Sequence, residues 1–489
     1  MKKRVAFRTV IGLAIVGAIL FGCYEGEKEH AVVVMGQQQD LTETDEGQQS
    51  EKPEMKTAEL ESTENRDGDY ATIDDLDEAY EVILDGCTKE FIGGYLVDES
   101  FLHWIYAEYG EDTITDLAGA VSEGDQDVNL WYQLTGSSIH VLWLSYCQAT
   151  GFQQYTLDHV YWKDCASASQ IVLDFTGDIN FAEGWCTTEY MDEQPDGIYD
   201  CFSADLLEEM QAADIMMVNN EFTYSTRGTP LKGKDYTFRA NPDRVKLLEA
   251  FGTDIVNLAN NHVYDYGEDA LLDTMDTLKQ EGIPYVGAGA NLDEAESPVY
   301  FVANGRKIAI VSATQIERSL NYTKEATESS PGVLKTLNPE KFVAEIQEAK
   351  AESDYVIVFV HWGTEGDSDY GADQVSLAKK YVAAGADAII GGHTHCLQGM
   401  TYMDGVPIIY SLGNFWFSQS ALDTGLSQLV IRQDGSVDFR FLPCRQEDLV
   451  TSLVTDQKEK TRILEYMESI SSGVSIDEDG YVSDMSKSK

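Results

Sequence analysis

Positive charge is scarce in this chain. Only 34 Lys and Arg stand against 85 Asp and Glu, giving a formal net charge of −51 and a sequence pI near 4.2. Such a field repels nucleic acid and bare polyanions and attracts divalent cations, which excludes nucleic acid as a partner. Part of the excess is an ordinary solvated acidic surface. The chain also lacks a Gly-x-x-x-x-Gly-Lys-Ser/Thr phosphate loop, the device by which many proteins cradle ATP. Cys-x-x-Cys pairs of the zinc-binding kind and internal repeats are missing as well. Long apolar runs are nearly absent: the one from Val10 to Gly22 is short for a membrane span. Histidine numbers only eight, so the places where it clusters carry weight.

At 489 residues the chain has room for roughly two or three domains. With 43% hydrophobic residues it can bury a sizeable core. Lys2, Lys3, Arg4 and Arg8 precede the apolar run, the order of a secretory signal. Leu20-Phe21-Gly22-Cys23 resembles a lipobox, in which Cys23 would be lipidated; bulky Phe21 leaves an uncleaved anchor as the alternative. Both place the rest of the protein outside the cytoplasm, tied to the membrane. The seven remaining cysteines leave at least one thiol unpaired, and Cys186 with Cys201 is the expected local pair.

Composition divides the chain further. After the signal (1–23), residues 24–70 are Glu-, Gln- and Thr-rich and predict a disordered acidic linker. Residues 71–169 carry apolar positions at helical spacing and predict a helical accessory domain without a catalytic signature. His103, His140 and His159 fall there, isolated, and are expected to be packing or surface residues. From 170 to 445 short apolar runs alternate with helical stretches, an α/β pattern whose sheets are covered by helices. Residues 446–489 predict one helix and a tail.

The chemistry-bearing residues gather where strands should end. Gly177-Asp178, Asn219-Asn220-Glu221, Asn260-Asn261-His262 with Asp265, His361-Trp362-Gly363-Thr364-Glu365 and His393-Thr394-His395 each follow an apolar run. In α/β sheets, ligands bind at the carboxyl ends of strands. Four of the eight histidines lie in these segments, which packing alone hardly explains. Carboxylate, amide oxygen and imidazole together suit one or two divalent ions of Mn, Fe or Zn. Gly391 and Gly392 permit the tight backbone that brings His393 and His395 together. A degenerate site that keeps only the shape is the alternative.

These segments, with Tyr410-Ser411-Leu412-Gly413-Asn414-Phe415, resemble the CapA family of poly-γ-glutamate capsule-synthesis proteins, related to calcineurin-like metallophosphatases. The resemblance covers about 172–417 and implies a metallophosphatase-like α/β/β/α sandwich. It implies Asp178 and His395 at a first metal, Glu221 as the bridge, and Asn261, His361 and His393 at a second. His262 would face substrate as general acid, oriented by Asp265. The phosphatase Asp-x-His reads Asp178-Ile179-Asn180 here, so the first site lacks one imidazole. Lys234 and Arg239 lie in a segment the family shares, where each could contact an anionic substrate, a surface salt bridge being the other reading of Arg239. The implied function is an envelope protein in synthesis, export or anchoring of an anionic polymer, with membrane-embedded capsule-synthesis partners and a phosphoester-hydrolase-type site. An extracellular phosphatase or phosphodiesterase unrelated to capsule, or a non-catalytic polymer scaffold, are the other readings.

Overall fold

The apolar runs of the central region alternate in the direction their residues face, and that alternation builds the domain. In the computed structural model, which describes residues 76–95, 97–151, 159–318 and 322–488, two sheets lie face to face. One has seven strands in the order Val160–Lys163, Val299–Ala303, Arg306–Thr314, Tyr355–His361, Ala388–Gly392, Val406–Leu412, Leu397–Met403. The other is built around Gln170–Ile179, which pairs in parallel with Ile215–Asn220 and antiparallel with Leu422–Arg432. Between the sheets Leu173, Phe175, Met217 and Ile255 meet Ile310, Ile357, Phe359 and Ile390 in one apolar layer. Their sequence neighbours point outward. Met216, Val218 and Val256 bury against the helices Ala204–Ala212 and Glu268–Gln280, and Val311, Val358 and Val360 against Glu340–Glu352 and Ala372–Ala384. Strands covered on both faces read as continuous apolar runs because both sets of side chains must leave water. The result is the expected α/β/β/α sandwich.

The helical accessory region holds five helices between Leu76 and Thr150 around its own aromatic core of Phe101, Trp131 and Trp143. It docks at the amino ends of the first sheet's strands. There Ser138 donates to Asp354 (2.6 Å), and the Arg306 guanidinium lies 3.7 Å from the centre of the Tyr132 ring. This is the end opposite the chemistry. His103 packs edge-on against Tyr80, and His140 hydrogen-bonds Tyr95 (3.0 Å).

At both ends of the central domain the boundaries differ from those read in the sequence. Val160–Lys163 pairs with Val299–Ala303 and belongs to the sandwich, not to the helical region. Residues 446–489 are more than a helix and tail. Val450–Leu453 and Tyr481–Asp484 add to the second sheet against Val437–Glu447, and Val474–Ile476 pairs with Tyr481–Asp484. Strands this short are too brief to display a period of two. All seven cysteines in the described residues are free. Cys201 does not pair with Cys186, because it sits in the apolar core with its Sγ 3.5 Å from the Gly197 carbonyl oxygen. Cys23, the signal and the linker lie outside the described residues. Among the described residues no helix is long and apolar enough to cross a membrane.

Candidate metal centre

Parallel strands from both sheets end at one edge of the sandwich, and each end delivers a polar side chain. Gln170–Ile179 carries a bulge between Phe175 and Asp178, and a bulge re-aims the residue that follows it. Gly177 sits in the bulge: a Cβ there would lie 1.9 Å from the Gly413 carbonyl oxygen. That close approach lets the Asp178 amide donate to the same carbonyl (2.8 Å) and turns the Asp178 carboxylate into the edge. His393 and His395 adopt the left-handed backbone (φ 99° and 58°), which side chains rarely tolerate. Strain of this kind concentrates at functional sites.

Two groups of ligand atoms result, Glu221 with His361 and His393, and Asp178 and Glu221 with His395. Glu221 is common to both. In the first group His361 Nε2 lies 2.8 Å from Asn261 Oδ1, 3.1 Å from His393 Nδ1 and 3.4 Å from Glu221 Oε1. Ligands about 2.1 Å from one ion at octahedral or tetrahedral angles stand about 3.0–3.4 Å apart, so these spacings fit a single cation at their centre. In the second group His395 Nδ1 is 3.4 Å from Asp178 Oδ2 and 2.6 Å from Asn414 Oδ1. Both oxygens of Glu221 and one of Asp178 are buried without a hydrogen-bond donor. Buried carboxylate oxygens are otherwise paired, because stripping their water costs several kcal/mol. A cation satisfies all of them at once.

Asn180, standing where the resemblance expects histidine, is turned away. Its Oδ1 accepts the Ala182 amide (2.8 Å), and its Nδ2 is buried without a partner. The second group therefore offers three ligands from Asp178, Glu221 and His395, while the first gains a fourth in Asn261.

Burial dominates the titration of these side chains. It pushes Asp178 up to about 7, helped by the nearby Glu221 carboxylate, and raises Glu221. It takes His361 down to about 4 and His393 well below the usual range. For His395 burial also pulls downward, but the Glu221 and Asp178 carboxylates outweigh it and the net shift is upward. In the metal-free fold Asp178 thus contributes stability below its unfolded value of 3.8, lost as the pH rises through 7. His361 does the reverse: its contribution is present above 6.5 and lost as the pH falls through 4. Metal must displace the Asp178 proton and any held by Glu221 and His395, whose pKa values are raised too, so affinity at the second group should fall at least about tenfold per pH unit below 7. Metal titrations followed by calorimetry across that range check this; a flat profile would refute Asp178 as a ligand.

Beside the ligands lies an open cleft of about 560 Å³ lined by His262, Lys234, Glu365 and the aromatics Trp185, Tyr236, Phe238, Tyr322 and Phe417. His262 Nδ1 meets Asp265 Oδ2 at 2.7 Å, and a carboxylate accepts only, so the proton sits on Nδ1. Its Nε2 then faces Glu221 Oε1 at 4.0 Å. Asp265 is held in turn by Lys234 (2.6 Å) and the Phe238 amide (2.7 Å). Lys234 also reaches the Asn261 carbonyl. Arg239 departs from its expected role. Its guanidinium stacks on Tyr266 (4.1 Å) and donates to the Arg227 carbonyl (2.9 Å), away from the cleft. A delocalised cation satisfied by a ring face and a carbonyl has no need of an anion.

Sequence reasoning placed Asn219 and Asn414 in the strand-end motifs but gave neither a role of its own. Asn219 donates to Asp178 Oδ1 (2.6 Å) and lies 3.4 Å from His361 Nδ1, so it sets the orientation of a ligand from each group. Both asparagines stand at strand ends, the one signal that could have marked them.

A two-sheet sandwich with helices outside, and carboxylate, amide and imidazole side chains converging from strand ends of both sheets, defines an α/β/β/α protein with a candidate metal site. Within that class the chain belongs to the family described as bacterial capsule synthesis protein PGA_cap, whose model matches residues 172–419. It is 35% identical over 238 residues to the capsule biosynthesis protein CapA of Bacillus anthracis, covering 47% of this chain and 57% of that one. It is 36% identical over 214 residues to the PGA biosynthesis protein CapA of Bacillus subtilis, covering 43% of this chain and 55% of that one. A probable polyglutamine synthesis accessory protein of Mycobacterium tuberculosis is 30% identical over 213 residues, 42% of this chain and 56% of that one. The match thus spans little more than half the length of these relatives. Among solved structures, a 5'-nucleotidase of Candida albicans resembles the chain distantly, at 10% identity and a TM-score of 0.32 over 57% of this chain and 52% of that one.

Proposed function

We propose that this protein works at the cell envelope as an accessory in capsule or poly-γ-glutamate synthesis, acting on an anionic polymer or a phosphoester at a divalent-metal centre. The observation that carries the reading is Glu221, shared by two ligand groups and buried with both oxygens lacking a donor. The names of the relatives supply the polymer. Asp178, Glu221 and His395, and Glu221, Asn261, His361 and His393, would hold the ions, of Mn, Fe or Zn type given their mixed oxygen and nitrogen donors. Bound there, such ions would supply a hydroxide nucleophile at neutral pH and charge to steady a phosphoryl group.

The remaining chemistry falls to the chain. Asp265 fixes the tautomer of His262, which leaves Nε2 free to exchange a proton with a leaving oxygen in the cleft. Lys234 is spoken for by Asp265 and by Glu317 (3.3 Å), and so braces the His262 support rather than gripping substrate alone. The aromatic wall of Trp185, Tyr236 and Phe238 gives flat faces against which amide or sugar planes of a ligand can lie. Anchoring through Cys23, with membrane-embedded synthesis partners, completes the reading. The displaced Asn180 favours a second version, in which one firmly held ion grips the polymer without turnover.

Elemental analysis of the purified protein beside an Asp178→Ala, His393→Ala double variant tests the metal centre. Stoichiometric Mn, Fe or Zn in the parent and none in the variant is the expected result. A parent that takes up none of these ions on incubation overturns both versions.

A further inference from the structure

A second open cleft, about 610 Å³ in volume, adjoins the one at the metal ligands, and Glu317 lines both. Its wall includes Lys335, Lys324 and Arg318, a concentration of cations in a chain that has few. Lys335 is the unusual member. The residue is only 6% exposed, so its stem is packed into the fold, while its tip opens on the cleft, where among the described residues no hydrogen bond or ion pair holds the ammonium. Its place is rigid. The flanking residues are pinned by Leu334 N donating to Gly287 O (2.8 Å) and Thr336 N donating to Thr314 O (2.9 Å).

An unpaired ammonium at the end of a buried stem, facing an open cleft, is placed to receive an anion. The nearby carboxylates are largely committed. Glu317 accepts from Lys234 through Oε1 (3.3 Å) and from the amides of Tyr322 (3.0 Å) and Thr323 (3.3 Å) through Oε2. Glu325 pairs with Lys341 (3.1 Å). Arg318 pairs with Asp373 (3.2 Å) and donates to the Gly363 carbonyl (2.6 Å). Glu268, at the start of its helix, also lines the cleft. Lys324 has a contact of its own, and Lys335 is thus a cation left to receive a ligand. Burial pulls its pKa down, and Glu317 and Glu325 partly restore it.

We infer that the second cleft is an anion subsite, in which Lys335 receives a carboxylate or phosphate group of an extended ligand whose other end lies at the metal centre. The inference rests on the proposed action on an anionic polymer and deepens it. A repeating anion would engage the ions at one group and Lys335 at another, with Glu317 between the clefts spacing like charges along the chain. Such a ligand must carry more than one negative group. A short ligand can fill only one of the two places.

Calorimetric titration of the full-length protein, loaded with manganese, against short and long γ-linked glutamate oligomers tests this. Lys335→Met should weaken binding of the long oligomer about tenfold to hundredfold, the worth of one charge-assisted hydrogen bond. It should leave the short oligomer and the metal content unchanged, and Lys335→Arg should restore most of the loss. Methionine keeps the side chain's length and its buried apolar stem, so the variant should melt close to the parent. If inorganic phosphate instead binds the chelator-treated parent and not Lys335→Met, the subsite stands and its anion is phosphate. Equal affinity of parent and Lys335→Met for the long oligomer, with no phosphate binding, overturns the inference while leaving the metal reading intact. Oligomer binding that persists without metal but is lost in Lys335→Met keeps the subsite and overturns the metal reading.

Discussion

Replacing Glu221 by glutamine is expected to abolish metal binding while making the metal-free fold more stable. The two effects have one cause. Glu221 is fully buried, with both oxygens lacking a donor, and burial raises its pKa. Without a cation the fold must either bury an unpaired charge or keep the carboxyl protonated. Glutamine has nearly the same shape, carries no charge, and can offer its amide N–H to the unpartnered Asp178 Oδ2. Relieving an unsatisfied buried group is worth about 1–3 kcal/mol. Metal at a thousand times its dissociation constant stabilises the parent by about 4 kcal/mol, through binding to the folded state alone. The parent should therefore melt well above the variant in metal and below it in chelator. Thermal melts in both conditions, with metal content measured on each protein, check the crossing. A variant that retains stoichiometric metal rules out Glu221 as the shared ligand.

His262→Ala should lower turnover of a chromogenic phosphodiester about a hundredfold to ten-thousandfold, the usual worth of a positioned general acid, with bound metal unchanged. The side chain does not belong to either ligand group. It is instead packed 4.6 Å from the Phe238 ring and tethered through Asp265, an arrangement that aims Nε2 at the cleft. Turnover in the parent that survives intact in His262→Ala would remove the histidine from proton transfer. Metal-dependent polymer binding with no turnover in the parent would favour the gripping version, consistent with the ligand lost at Asn180.

The ligand types were legible in the sequence because each follows an apolar run that could only be a strand, and strand ends in α/β sheets are where side chains meet ligands. Asp178, Glu221, Asn261, His262, His361, His393 and His395 are each visible that way. The surroundings of Arg239 were not legible, for a physical reason. A basic residue in an acidic chain invites an anion, but the sequence does not reveal that Tyr266 and a backbone carbonyl already satisfy it. The short strands Val474–Ile476 and Tyr481–Asp484 escaped because partnership with Val437–Glu447, rather than their own pattern, makes them strands.

By itself, then, the sequence determined the alternation of strand and helix, the acidic field and the set of possible ligands, since these depend on composition and on neighbours along the chain. Tertiary structure alone decided which of these side chains come within reach of one ion. Asp178, Glu221 and Asn261 come from one sheet and His361, His393 and His395 from the other. Only the apolar layer between the sheets fixes how their edges meet, and with it the few ångströms that make a carboxylate common to two groups. The same packing buried the stem of Lys335 and left its ammonium at the wall of a cleft, a placement decided by neighbours in space rather than along the chain.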